Sequence, residues 1–346
     1  MVNFKDQLEI LYLSEKEVKT CLPSVEKTVK MMEEVFIAHC QKKVQMPAKV
    51  SLLPKKEIYH GHINVMPAYL EDIDIAGVKI MSGYENNREK NLPSALGTIN
   101  LFDSSTGCPI AIMGGKYITS LRTGAVTGVF AKYLARKNSK IMGIIGAGDV
   151  SPYHIYGVSE VINLEEIKIF DISRESAEKV ANKISKEIKI KVSVQNSCRE
   201  TVNKADIIVT CTRLAKPASL VKKEWLKEGA FIITTGSMVE IDYELLKNVD
   251  KLIVDNKTQM KNETPHRGFV LLFSGDKDLG IPKIYSWDDI YSDIGEVVLG
   301  RKKGRETEKE NILGFSLGMG SEDLIVSHFV YNEAKKRKLG TSLNLF

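Results

Sequence analysis

The sequence predicts an α/β protein in which a doubly wound parallel-sheet domain is joined to an α+β domain. Three observations carry this. From Lys140 onward, short apolar runs alternate with helical segments on short connections, the pattern of successive βα units. Between Met46 and Asp103, apolar runs follow one another separated by Gly, Pro and Asn, the pattern of a sheet. The length of 346 residues allows two domains of ordinary size, each with its own core.

Taken in order, residues 14–40 read as helical. Ser14 and Glu17 have the spacing of a capping box, and Val25, Val29, Met32 and Val35 recur at helical intervals. The sheet segment includes Ile58–Met66, Ile75–Ile80 and Leu96–Asp103. Residues 116–136 form a long helical pattern dense in Gly124, Ala125, Gly128 and Ala131, whose small side chains let another element approach closely. Strands follow near 167–171, 190–195, 206–211, 230–235 and 251–255, with helical segments such as 173–187 between them. A glycine-rich turn (Gly314, Gly318, Gly320) leads into a final helix near 321–338, which leaves the parallel-sheet domain to rejoin the first. The domain boundaries read this way are 1–117 with 321–346, and 118–320.

Residues 139–171 carry the most information. The run Lys140–Ile145 enters Gly146-Ala147-Gly148, then a helix, then a strand ending at Asp171. This is the order of a dinucleotide-binding βαβ unit. Gly146 permits the tight turn, and Gly148 leaves room for a pyrophosphate to approach backbone N–H groups at a helix N-terminus. Asp171, 23 positions beyond Gly148, is placed to accept ribose hydroxyls and to repel a 2′-phosphate, favouring NAD over NADP. Ser151 is small enough for the third glycine position, and Pro152 suits a first helical turn. Asp149 would face the phosphates unless it points into solvent.

The 49 basic and 44 acidic residues are scattered, and the cluster Arg301-Lys302-Lys303-Gly304-Arg305 has no interleaved aromatic residues, so it reads as a solvated loop rather than a nucleic-acid surface. No apolar run has signal-peptide or membrane-span length, which points to a cytoplasmic protein without a membrane partner. Five dispersed cysteines lack any Cys-x-x-Cys pair and read as reduced thiols. His60 and His62 alternate on one face of an expected strand without a third ligand, so no metal site is expected.

Candidate substrate groups lie in the first domain. Lys79, read as ending an apolar strand before Ser82-Gly83-Tyr84, is either a strand-edge solubiliser or a group that polarises a carbonyl or imine. Arg122 is the only large polar group in Thr119–Ala125, and its planar fork suits an α-carboxylate. Lys49, in Met46-Pro47-Ala48-Lys49-Val50, is either a surface lysine or a second charge for that carboxylate. Asp103 reads as a turn residue.

The chain resembles the ornithine cyclodeaminase/μ-crystallin family along nearly its whole length. The stretches that carry the likeness are Gln45–Lys49, Val65–Ala68, Gly77–Lys79, Asn91–Ser94, Phe102–Pro109, Leu121–Gly128, Lys132–Arg136 and Ile144–Gly148. The resemblance implies an NAD(P)-dependent enzyme acting on α-amino or α-imino acids. It also implies a homodimer whose first domain and C-terminal segment form the subunit contact. By position, Arg122 and Lys49 would hold the substrate carboxylate and Lys79 would lie at the reacting carbon. Gly146, Gly148, Val150, Asp171 and Thr123 are the candidate cofactor contacts. Two positions depart from the family pattern: Val150 stands where the family has glutamine, and Met238 where cyclodeaminases and alanine dehydrogenases carry a proton-exchanging aspartate. Glu240 and Asp242 replace that aspartate only if the loop is displaced. The leading expectation is an NAD-dependent oxidoreductase moving a hydride between nicotinamide and the α-carbon of an amino or imino acid. The alternatives are ornithine cyclodeamination, a lyase reaction without net NADH change, and a non-catalytic binding protein.

Overall fold

The computed structural model describes residues 8–214, 216–236, 239–262 and 268–345. The chain divides into two compact units, Met1–Arg122 with Asn262–Thr264 and Gly318–Phe346, and Thr123–Lys261 with Pro265–Leu317.

The first unit opens with β1 (Glu9–Leu13), α1 (Glu15–Cys21) and α2 (Val25–Cys40). The Ser14–Glu17 capping box forms, with Ser14 N donating to Glu17 Oε2 at 2.8 Å. The helical region expected over 14–40 is, however, two helices. Leu22 precedes Pro23 and takes an extended conformation (ψ 142°), because the proline ring disfavours a helical residue before it. Next come β2 (Val44–Gln45), β3 (Val50–Leu52), a one-turn α3 (Lys56–Tyr59), β4 (Gly61–Leu70), β5 (Ile75–Tyr84), β6 (Ala95–Asp103) and β7 (Pro109–Gly114). The strand expected from Ile58 thus begins only at Gly61. His60 has φ 47° and lies outside the strand, so it does not share a strand face with His62.

The sheet order is β16-β1-β7-β6-β5-β4-β2, with β3 also on β4 and the edge strand β16 (Thr341–Asn344) supplied by the C-terminus. All its pairings are antiparallel except that of β1 with β7. One cross-strand row runs Met66, Lys79, Ile99, Met113, Leu13, and every member is buried. Against β4, β5 and β6 lies the C-terminal helix Gly320–Arg337, which also packs on α2.

α4 (Lys116–Leu134) leads into the second unit. There β8 (Ile141–Ile145), α5 (Ser151–Val161), β9 (Glu166–Phe170), α6 (Arg174–Glu187), β10 (Lys191–Val194), α7 (Cys198–Val202), β11 (Ile207–Thr210), β12 (Phe231–Thr234), α8 (Tyr243–Leu246), β13 (Lys251–Val254), α9 (Lys257–Asn262), β14 (Ile290–Asp293), α10 (Ile294–Val298) and β15 (Ile312–Phe315) follow, before the C-terminal helix, α11. Every strand pairing is parallel, in the order β10-β9-β8-β11-β12-β15-β13-β14. The strand order reverses between β8 and β11, which makes that point the ligand crevice of a doubly wound sheet. Gly314, read as part of a turn, lies inside β15, where an added Cβ would come within 2.7 Å of the Phe130 ring. The small residues of α4 act as expected: α5 crosses it so closely that a Cβ on Gly157 would lie 1.9 Å from the Gly124 carbonyl oxygen.

Candidate active site

Two sets of candidate residues exist, one in each unit. In the first unit, Lys79 lies in the middle of β5 rather than at its end, and the sheet and α11 bury it to 2 % exposure. Its ammonium donates to Asp323 Oδ2 on the first turn of α11. Arg122, on the face of α4 that also presents Thr119, donates from Nε to Asp323 Oδ1 at 2.9 Å and from Nη1 to Glu322 Oε2 at 2.6 Å. Thr119 Oγ1 approaches the same Asp323 oxygen at 3.4 Å. The two acids sit where a helix macrodipole favours negative charge, and Glu322 Oε2 also accepts from Met319 N at 3.1 Å. His39 of α2 meets Ser321 Oγ at 2.9 Å, and burial pushes its imidazole down to about 4.

Lys49 is 3 % exposed, so it is not a surface lysine. β3 pairs Val50 with Val65; continuing that register by one residue sets Lys49 opposite Met66, in the row that contains Lys79. Residues directly opposite on paired strands share a face. Lys79 also departs from ordinary lysine behaviour. Burial pulls its ammonium down to about 8, the Asp323 carboxylate opposes that fall, and the Arg122 charge adds to it. The sequence reading missed Glu322 and Asp323, more than two hundred positions from Lys79; their only signal was acidic residues opening a helix that faces a buried cation.

In the second unit, Gly146 turns the chain out of β8 with φ +107°, a conformation that favours glycine, and an added Cβ would meet the Cys211 backbone at 3.0 Å. Around Gly148 nothing lies within 4 Å of an added Cβ, so the backbone faces open space there, as a bound pyrophosphate requires. Ser151 is buried and donates to the Gly148 carbonyl oxygen at 2.8 Å, and Pro152 sits in the first turn of α5. Val150 is the N-cap residue of α5, and Asp149 is exposed. Asp171 ties its strand end to the glycine turn: Oδ2 accepts from Ala147 N at 2.7 Å and Oδ1 from Ser173 N at 2.8 Å. Thr123 is half-buried on α4, one residue before the Gly124 crossing. The donor geometry and the open backbone at Gly148 therefore fit a dinucleotide.

Met238 lies outside the described residues. Of its suggested substitutes, Glu240 is buried with both oxygens bonded to threonines, and Asp242 caps α8 by accepting from Glu244 N at 3.0 Å while its other oxygen accepts from Ser219 Oγ at 3.1 Å. Neither presents an unengaged carboxylate. Among the described residues, no group of three His, Cys, Asp or Glu side chains is placed to hold a metal ion, and no helix is long and apolar enough to cross a membrane.

Known proteins share this architecture. The profile of the ornithine cyclodeaminase/mu-crystallin family matches residues 9–338. An alanine dehydrogenase of Archaeoglobus fulgidus is 33 % identical over 98 % of this chain and 99 % of its own. The ketimine reductase mu-crystallin of Rattus norvegicus is 34 % identical over 79 % of this chain and 81 % of its own. Among solved structures, the Δ1-pyrroline-2-carboxylate reductase of Thermococcus litoralis, in complex with NADH and L-proline, superposes with a TM-score of 0.88 at 34 % identity, covering 96 % of this chain and all of that one. With the same fold, the glycine turn of the parallel sheet and a profile match over nearly its whole length, the chain belongs to the ornithine cyclodeaminase/mu-crystallin family.

Proposed function

We propose that this protein is an NAD-dependent oxidoreductase that reduces an α-imino acid to the α-amino acid, and runs the reverse oxidation when product accumulates. Family membership supports the class of reaction. The observation that supports the direction and the residues is the buried set Lys79, Arg122, Glu322 and Asp323. Lys49, buried in the same cross-strand row as Lys79, adds a third cation on the face of the sheet that carries this set. Arg122 and Lys49 bind the substrate carboxylate, a role suited to a guanidinium fork held rigid by two acids.

Bound NADH supplies the hydride. Its electron pair goes to the imine carbon, and the C=N π pair becomes the lone pair on nitrogen, so the nitrogen must be protonated before transfer. Lys79, with its ammonium drawn down to about 8, holds or returns that proton near neutral pH. Asp323 orients Lys79 and keeps it charged. This arrangement needs no acid at position 238, which ammonia release from ornithine would require.

Unit 1 is the substrate and assembly domain in this reading, and unit 2 holds the dinucleotide through Gly146, Gly148, Val150, Asp171 and Thr123. A homodimer is supported by the exposed apolar residues Val50, Leu52, Leu53, Ile58 and Tyr59 in one stretch of unit 1, and by an archaeal alanine dehydrogenase, described as a dimer with bound NAD, that superposes with a TM-score of 0.85 at 33 % identity. The five unbridged cysteines support a reducing, cytoplasmic setting.

The deciding experiment follows absorbance at 340 nm with purified protein and NADH. It offers in turn a cyclic α-imino acid, a 2-oxo acid with ammonia, and a 2-oxo acid with an amino acid. Oxidation with the cyclic imine is expected. Conversion of ornithine to proline with no net NADH change would replace this reading by cyclodeamination, and NADH binding without any turnover would replace it by a binding role.

A further inference from the structure

Glu240 is 1 % exposed, carries a carboxylate, and has no part in the chemistry proposed above. Burial pushes its carboxyl up, and the surrounding threonine donors oppose that shift. Its Oε2 accepts from Thr210 Oγ1 at 2.7 Å and from Thr234 Oγ1 at 2.8 Å. Its Oε1 accepts from Thr212 N at 2.8 Å and from Thr212 Oγ1. Thr210 and Thr234 are the last residues of β11 and β12 and are register partners. One side chain therefore ties together the carboxyl ends of two neighbouring strands and Thr212 just beyond β11.

The fastening extends to the glycine turn. Cys211, between two of the bonded threonines, donates its N–H to the Ile145 carbonyl oxygen at 3.0 Å, and its backbone packs against Gly146. The strand order reverses between β8 and β11, so the crevice has two halves. One is built by β8, α5 and β9 with Asp171, and takes the adenosine end. The other lies at the carboxyl ends of β11 and β12 and is left for the nicotinamide end.

We propose that Glu240 is a positioning residue for the nicotinamide half of the crevice, holding the carboxyl ends of β11 and β12 and Thr212 at the height the nicotinamide riboside needs. It rests on the NAD reading above and adds a division of labour: Asp171 and the glycine turn fix the adenosine end, and Glu240 fixes the other through Thr210, Thr212 and Thr234.

The test is calorimetric titration of the native protein, Glu240→Ala and Glu240→Gln with NADH and separately with AMP, which engages only the adenosine half. Native protein that binds neither ligand overturns the NAD reading itself. Given native binding, Glu240→Ala is expected to raise the Kd for NADH at least about tenfold while changing that for AMP less than about threefold. Glu240→Gln, which keeps an acceptor and can donate to the hydroxyls, should recover most of the NADH affinity. Equal weakening of both ligands, or no change in either, overturns the positioning role. If Glu240→Ala does not fold, the double variant Thr210→Val with Thr234→Val removes both hydroxyl donors to Oε2 at nearly constant volume. It should weaken NADH but not AMP, and equal effects on the two overturn the proposal.

Discussion

The two units build their candidate sites in opposite ways. Unit 2 uses backbone: the glycine turn after β8, the N-terminus of α5, and one carboxylate at the end of β9, all within about thirty residues. Unit 1 uses side chains brought from β5, α4 and α11, which are more than two hundred residues apart at the extremes. A backbone site tolerates side-chain change as long as its turns survive, whereas a site of buried charges fails when one member is removed, because the others lose their counter-charge.

That contrast orders the expected effects. Lys79→Ala should lower kcat by roughly 10²–10⁴, the range for a lost proton-transfer group. In the native protein, reduction should hold steady below about pH 8 and fall tenfold per unit above it, because the protonated lysine is the active form; oxidation should show the opposite limb. Pre-steady-state rates across pH 6–10 check both, and a limb that persists in Lys79→Ala would assign it elsewhere. Arg122→Ala should raise the KM for a carboxylate substrate roughly 10²-fold, with a smaller change for NADH. An unchanged substrate KM would remove the carboxylate clamp and leave Arg122 as a structural partner of Glu322 and Asp323.

In the backbone-built site the changes are smaller. Asp171→Ser should shift preference toward NADPH by roughly tenfold as the charge facing a 2′-phosphate is lost. Affinity for NADH should fall as well, since Asp171 also holds Ala147 N. Competing titrations with the two cofactors read this directly. Gly157→Ala touches neither site, but its methyl would meet the Gly124 carbonyl, costing about 1–3 kcal/mol and a few degrees of Tm. A larger effect on NADH affinity than on Tm would show that the α4–α5 crossing is coupled to the glycine turn.

How much of this was legible in the sequence follows the same division. The βα alternation and the turn at Gly146 are local, so the parallel sheet was readable from residue order. β15 was lost because Gly314 imitates a turn, although its small size serves the close approach of Phe130. β1 and β16 were not anticipated, because each is completed only by partners from distant parts of the chain. Arg122 and Lys79 stood out by residue type and through the family resemblance, but Asp323 did not: an acid opening a helix is ordinary until its register on the sheet is known. The placing of Lys79 at a strand end failed because β5 continues through Ser82-Gly83-Tyr84, paired with β4 throughout and with β6 at Ser82 and Gly83.

Because α11 closes the first unit, the chain is made in an order that matters to a cell. Arg122 leaves the ribosome 201 residues before Asp323, which at ordinary elongation rates is a delay of about 10 to 40 seconds. During that interval Lys79 and Arg122 have been made but Asp323, which both contact, has not. Unit 2 lies wholly between these events and is free to fold while it is synthesised. A nascent chain would therefore have all of unit 2 before Asp323 is available to close unit 1.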